Sequence, residues 1–249
     1  MSTSLALVTG GSSGVGLTFA RRWIAQGGRV AIMDINEEAL ARAAEDLGKE
    51  IVTARANVGA DDEVRSAVDA AAHALGGIDV VINCAGIARP AAAAEVADED
   101  WTRLVDIHLG GTMRVTRAAF PYLRASDHAA VVNISSVAAS AGMPGRSSYC
   151  AAKAGIEGLT RALAVEWAPD GIRVNAVAPG YIDSPMTAGL VERGELNLSP
   201  IINRIPMGRL ADPAEISAAI AFLSSPNASY ITGQTIYVDG GMSVDGNWY

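Results

Sequence analysis

The sequence predicts an α/β fold, a doubly wound and mostly parallel sheet forming one domain over residues 1–249. Three observations carry the prediction. Short β-type runs alternate with amphipathic helical stretches along the whole chain, a pattern that covers both faces of a parallel sheet with helices. The first run ends in a glycine cluster that leads directly into a helix. Polar residues and glycines then recur at the carboxyl ends of successive runs, where open sheets of this kind collect ligands.

The elements follow in order. Leu5 to Thr9 is a short apolar run that fits a buried strand. Thr9-Gly10-Gly11-Ser12-Ser13-Gly14-Val15-Gly16 comes next, then a helical pattern over Leu17 to Gln26. In that context Gly10 permits a tight turn, Gly14 lets backbone approach a diphosphate, and Gly16 lets helix and strand pack closely. First-turn amides and the helix dipole would face the anion. Arg29 to Asp34 is a second strand ending in an acid twenty residues beyond Gly14. A carboxylate there accepts hydrogen bonds from adenosine ribose and repels a 2′-phosphate, and neither Ser13 nor Ile35 offers a cation to hold one. NAD(H) is therefore expected over NADP(H), the alternative being that Asp34 merely caps the helix of Glu37 to Leu47. Ile51 to Ala56 reads as the third strand, with Asn57-Val58 beside the adenine, and Asp61 to Ala74 as a helix closed by Gly76-Gly77. Ile78 to Asn83 is the fourth strand, delivering Asn83-Cys84-Ala85-Gly86 at its end. A long helix spans Asp98 to Tyr122, and Ala130 to Ser135 is the fifth strand, with Ser136 at its tip. Tyr149 to Trp167 is a helix, Arg173 to Ala178 the sixth strand ended by Pro179-Gly180, Pro213 to Leu223 a helix with proline in its first turn, and Thr235 to Val238 the last strand.

Composition excludes several classes. A chain with 50% hydrophobic residues can bury one sizeable core. Charge is sparse at 18% with a net −8, so neither nucleic acid nor an anionic membrane is expected as a partner. Cys84 and Cys150 are too few for a disulfide framework and lack metal-ligand spacing, so reduced thiols in the cytoplasm and no metal are expected. The opening apolar run is too short for a signal peptide or a membrane span, and no later stretch reaches about eighteen apolar residues without charge.

The candidate chemistry centres on Tyr149-Cys150-Ala151-Ala152-Lys153. Four residues apart on a helix, Tyr149 and Lys153 share one face. An ammonium there favours phenolate and lowers a tyrosine pKa that is ordinarily about 10. Ser136 can hold a substrate oxygen while Tyr149 moves its proton. Of the 19 basic residues only Lys49 and Lys153 are lysines, which adds weight to Lys153. A surface Tyr–Lys pair on an alanine-rich helix is the plainer alternative.

Taken together, Thr9 to Gly16, Asn83 to Gly86, Ser136, Tyr149-x-x-x-Lys153 and Pro179-Gly180 closely resemble the short-chain dehydrogenase/reductases, from residue 5 to about 242. In that family the serine stands thirteen residues before the tyrosine, which selects Ser136 over Ser135. The resemblance implies a Rossmann-type nicotinamide enzyme, usually a homotetramer, that interconverts alcohols and carbonyls. It implies that Tyr149 is the acid/base, that Ser136 binds the reacting oxygen, and that Lys153 holds the nicotinamide ribose and lowers the tyrosine pKa. Cofactor contacts are implied for Gly10, Ser12, Ser13, Gly14, Val15, Gly16, Asp34, Ile35, Asn57, Val58, Asn83, Ala85, Gly86, Tyr149, Lys153, Pro179, Gly180, Ile182 and Ser184.

Three positions depart from the family pattern. Cys84 replaces an asparagine, and a small uncharged residue should still let the backbone pass the cofactor. Asn57-Val58 replaces Asp-Val, dropping a charge. His108-Leu-Gly-Gly111 stands where an asparagine usually helps hold a water chain to the lysine. Histidine also relays protons and titrates near neutrality. His108 is thus either a relay, in which case His108→Asn retains activity and changes the pH profile, or a structural residue satisfying a backbone carbonyl at a helix distortion.

The substrate pocket is expected from Ser136, Ala138, Ala139, Met143, Tyr149, Tyr181, Met186, Ile201 and Ile202, a mostly apolar set suited to a secondary alcohol or ketone with an apolar portion. The segment 183–210 reads as a substrate lid, with Leu190 to Pro200 its mobile part. Arg146, the one cation close in sequence to Tyr149, can grip an anion bidentately, although a surface or subunit-contact role is the commoner fate. Trp248 could reach a neighbouring subunit's pocket or simply fray. Two rival functions remain: a 3-oxoacyl-[acyl-carrier-protein] reductase, and a catalytically silent NAD-binding regulator or scaffold. Asp34, Asp127 and Asp170 argue against the first. The intact Ser136, Tyr149 and Lys153 argue against the second.

Overall fold

A computed structural model describes residues 4–48 and 51–246. Trp248 lies outside them. Among the described residues seven strands form one parallel sheet in the order β3-β2-β1-β4-β5-β6-β7. They are β1 (Leu5–Thr9), β2 (Arg29–Asp34), β3 (Val52–Arg55), β4 (Val80–Asn83), β5 (Ala130–Ile134), β6 (Arg173–Pro179) and β7 (Thr235–Val238). The chain runs outward from β1 to β3, returns to β4 beside β1, and proceeds the other way. That reversal leaves a crevice beyond the carboxyl ends of β1 and β4.

Side-chain alternation along each strand feeds two cores. On one face Leu7, Met33, Val81, Val131 and Val174 pack under α3 (Asp61–Leu75), α5 (Gly111–Arg124) and α6 (Ser147–Trp167). On the other, Val8, Ile32, Ile82, Val132 and Val177 pack under α1 (Gly14–Ala25), α2 (Glu37–Leu47) and α9 (Pro213–Ser224). Arg22 of α1 donates to Ser217 Oγ (3.1 Å) and to the Ala214 carbonyl (3.3 Å), fastening α1 to α9. No helix among the described residues is long and apolar enough to cross a membrane.

Local chemistry explains where elements start. Asn36 Oδ1 accepts from Ala39 N and caps α2, so the capping alternative for Asp34 falls away. Asp212 and Glu215 form a reciprocal capping box around Pro213 at the start of α9. β4 starts two residues later than the run from Ile78 suggests, because Asp79 accepts from Leu5 N (2.8 Å) and Ser126 Oγ (2.6 Å) at the entry turn. α1 begins at Gly14, three residues before the apolar pattern, since the glycine loop itself supplies the first turn.

The long helix expected over Asp98 to Tyr122 exists but is interrupted. It comprises α4 (Asp98–Val105), one π-helical turn (Asp106–Gly110), and α5. Such wide turns insert an extra residue and re-aim side chains. Here the turn buries His108. The segment expected as a lid carries α7 (Pro185–Glu192) and α8 (Leu198–Ile202). Its base is pinned where Asp183 N donates to Ala211 O and Ala211 N to Tyr181 O, each at 2.9 Å.

Candidate active site

The crevice has a volume of about 530 Å³ and collects Gly10, Ser13, Gly14 and Val15 from the glycine loop and Asp34 and Ile35 from the tip of β2. Asn57 and Val58 follow β3, Ala85 and Gly86 follow β4, and Pro179, Gly180, Ile182 and Ser184 follow β6. Gly14 adopts a left-handed backbone (φ 52°) with open space where a Cβ would be. A Cβ on Gly16 would lie 2.4 Å from the Gly10 carbonyl, so Gly16 packs the helix against the loop and stays out of the crevice.

The start of α1 fits a diphosphate. Ser13 makes no side-chain cap, and the first turn has no acid, so its amides are left for an outside anion. By contrast α2 and α9 are capped by their own side chains. Asp34 accepts from Ser12 Oγ (2.5 Å) with one oxygen and from Asn36 N (3.2 Å) with the other. Ser12 thus orients the carboxylate from behind. Arg103 of α4 also lines the crevice.

Asn83 does not line it. Its side chain turns inward, donating to Thr116 Oγ1 (2.8 Å) and Asn133 Oδ1 (2.9 Å), while Asn133 donates to Thr160 Oγ1 (2.9 Å). The expected cofactor contact is instead part of a buried polar ladder joining β4, β5, α5 and α6. The reason is strand alternation, which sends Asn83 into the core and leaves Cys84, Ala85 and Gly86 to face the crevice. Thr9 Oγ1 accepts from Cys84 N and Ala85 N, both at 3.1 Å, and holds that turn. Burial pushes the Cys84 thiol up to about 11, with the Lys153 charge pulling the other way, so it stays a neutral thiol.

Ser136, Tyr149 and Lys153 meet at the inner end of the crevice. Ser136 Oγ accepts from Ala138 N (3.1 Å) at the start of a 3₁₀ turn. The Lys153 ammonium lies 5.5 Å from the Tyr149 ring centroid and donates to the Ile134 carbonyl (2.7 Å). Burial lowers the Lys153 pKa to about 8, against the opposing pull of Cys84. Tyr149 departs from the sequence-based expectation. Burial raises its pKa above the ordinary value, and the Ser136 hydroxyl and Arg146 charge pull it partly back.

His108 also departs. Burial, aided by the Lys153 charge and opposed by its bond to Ile87, lowers its pKa to about 3. That shift favours a neutral ring at His108. Its Nε2 sits 2.9 Å from Ile87 O and 3.1 Å from Ile87 N, which matches the structural alternative at a helix distortion. Its ring meets Tyr149 edge to face at 5.4 Å, and its buried Nδ1 has no protein partner among the described residues.

An inner cavity of about 140 Å³ opens from Ser136 and Tyr149 and is lined by Met143, Tyr181, Met186 and Leu190 among others. Ala138, Ala139 and Ile202 do not line it. The 3₁₀ turn after Ser136 buries Val137 and Ala138 alike, and of the two it is Val137 that lines the cavity. Ile201 lines an adjoining outer cavity. Sequence reading missed Val137 and the polar ladder, while Arg146, expected either to grip an anion or to lie at the surface or a subunit contact, faces both cavities.

Comparison with known proteins places this geometry in context. A family model described as enoyl-(acyl carrier protein) reductase matches residues 10–243. The 3-oxoacyl-[acyl-carrier-protein] reductase FabG of Thermotoga maritima is 37% identical over 243 residues, covering 96% of this chain and 98% of the relative. The cis-4-hydroxycyclohexanecarboxylate dehydrogenase of Sinomonas cyclohexanicum is 42% identical over 240 residues, covering 95% of each. A crystal structure from Brucella melitensis, described as short-chain dehydrogenase/reductase SDR:glucose/ribitol dehydrogenase, superposes with a TM-score of 0.90 at 35% identity, covering 96% of both chains.

Proposed function

Because the chain belongs to the short-chain dehydrogenase/reductase family of oxidoreductases, we propose that it interconverts a secondary alcohol and a ketone with NAD(H) as hydride partner. The observation that carries this reading is the meeting of Ser136, Tyr149 and Lys153 where the nucleotide crevice joins an apolar cavity. When bound, the nicotinamide supplies hydride acceptance and donation. Ser136 holds the substrate oxygen. Tyr149 gives that oxygen a proton during reduction and takes it back during oxidation. Burial raises the phenol pKa, which favours the protonated form that Tyr149 uses as the acid in reduction. Lys153 holds the nicotinamide ribose. His108 is a positioning residue, fixing Ile87 and the edge of Tyr149 without carrying charge.

NAD(H) is supported by Asp34 at the tip of β2, with no cation on Ser13 or Ile35 beside it. The segment 183–210 serves as the substrate lid over an otherwise single-domain enzyme. Exposed Val165, Phe222 and Tyr230 supply apolar surface for a homotetramer in the cytoplasm. A second reading, reduction of 3-oxoacyl groups on acyl carrier protein, is favoured by the name of the Thermotoga maritima relative. Asp34 and the exposed Asp127 and Asp170 weigh against it. The test is catalytic efficiency across secondary alcohols, ketones and a 3-oxoacyl thioester, each with both cofactors. NAD-dependent oxidation of a cyclic secondary alcohol is expected to lead. A lead for NADPH with the thioester would overturn the proposal.

A further inference from the structure

We propose that Arg146 is the anion-binding residue of the substrate site, and that the natural substrate is a hydroxy acid or oxo acid whose carboxylate docks on it. The inference rests on the alcohol–ketone reading and narrows it to a substrate class.

Position comes first. Arg146 lies three residues before Tyr149, at the start of α6. It lines the inner cavity together with Ser136 and Tyr149. It also lines the outer cavity of about 570 Å³, along with Glu195 and Arg204. Val137, Met143, Tyr181 and Leu196 are shared by both cavities. Arg146 therefore faces both cavities, the inner one shared with Ser136 and Tyr149.

Availability comes second. Most arginines of this chain are occupied: Arg21 by Asp46, Arg65 and Arg117 by Asp61, Arg114 by Asp106, Arg209 by Glu215. Among the described residues the Arg146 guanidinium has no hydrogen-bond or ion-pair partner, although it is only partly exposed. Glu195, the acid that shares its cavity, is held by Arg193 through both oxygens, at 3.0 and 3.1 Å, and also feels the Arg146 charge without pairing with it. Arg204, exposed and without a side-chain partner among the described residues, adds a second positive charge to the outer cavity. The Arg146 charge reaches the phenols of both Tyr149 and Tyr181.

Chemistry comes third. The remaining lining of the inner cavity is mostly apolar, so one cation with an open planar fork is the feature that can orient a substrate end to end. A carboxylate matches that fork with two parallel hydrogen bonds. An apolar spacer against Met143, Leu190 and Leu196 would then present the carbinol carbon to Tyr149. An uncharged substrate would leave the guanidinium without a charged partner in the inner cavity, which holds no acid among the described residues.

The test compares cis-4-hydroxycyclohexanecarboxylate with its carboxamide as substrates. In parallel, binding of cyclohexanecarboxylate and cyclohexanecarboxamide to the NAD⁺-loaded protein is measured by calorimetry. Wild type should favour the carboxylate over the amide by about 10- to 100-fold in both measurements, the range of a charge-assisted bidentate contact. R146Q should erase the preference, while R146K keeps part of it. Thermal melting checks folding, and the wild-type comparison stands even if a variant fails to fold. Equal wild-type affinity for acid and amide, or a preference that survives R146Q, overturns the assignment of Arg146. NAD-dependent turnover of neutral secondary alcohols in that case leaves the parent reading intact, whereas absence of any alcohol turnover removes the parent reading itself.

Discussion

Replacing His108 with asparagine should make the protein less sensitive to mild acid. Histidine in an unfolded chain takes up a proton near pH 6.5, whereas burial holds His108 neutral down to about pH 3. Between those values the unfolded state binds the extra proton, so stability falls as pH falls. Each pH unit below 6.5 costs about 1.4 kcal/mol, giving a loss of about 2 kcal/mol between pH 7 and pH 5 from this one group. Asparagine has no such titration and retains a side chain able to bond Ile87. His73 and His128 are common to both proteins and cancel. The assay is guanidinium unfolding at pH 7 and pH 5, at one protein concentration and without cofactor. The wild-type loss should exceed the variant's by about 2 kcal/mol. Equal losses would show that His108 titrates normally in the folded protein and refute its neutral burial. For the same reason His108→Asn should keep the shape of the turnover–pH profile, contrary to the relay expectation.

Two further outcomes follow from the crevice. A Cβ on Gly86 would lie 2.3 Å from His108 Cε1, and that ring is held by Ile87 and by Tyr149, so Gly86→Ala should destabilise by about 1–3 kcal/mol. Denaturant unfolding should show the double variant with His108→Ala less destabilised than the sum of the single changes; additivity would contradict the contact. Asp34→Ala removes the proposed acceptor for ribose and should raise the KM for NAD⁺ about tenfold with little change for NADP⁺, a ratio that steady-state kinetics reads directly.

The strand–helix alternation, the glycine loop and Tyr149-x-x-x-Lys153 were legible because each is a local pattern with one physical purpose. What sequence hides is direction. Asn83 ends a strand at the right place, yet alternation points it into the Thr116–Asn83–Asn133–Thr160 ladder. Ala138 lies close to Ser136 in sequence, but across the 3₁₀ turn it is Val137 that lines the cavity. Burial is equally invisible. Tyr149, Lys153 and His108 each carry pKa shifts in which desolvation outweighs neighbouring charge, while sequence spacing speaks only of the charge. Sequence left Arg146 open between an anion grip and a surface role, and the pairing of Glu195 with Arg193 leaves it without an ion-pair partner among the described residues.

The central claim is that the Tyr149 phenol moves the proton that accompanies hydride transfer. Its most direct test is single-turnover oxidation of the best alcohol substrate by Tyr149→Phe at saturating NAD⁺, with cofactor affinity measured on the same sample. The account predicts a rate at least 100-fold below wild type with cofactor binding largely kept. A wild-type rate in the phenylalanine variant would contradict it.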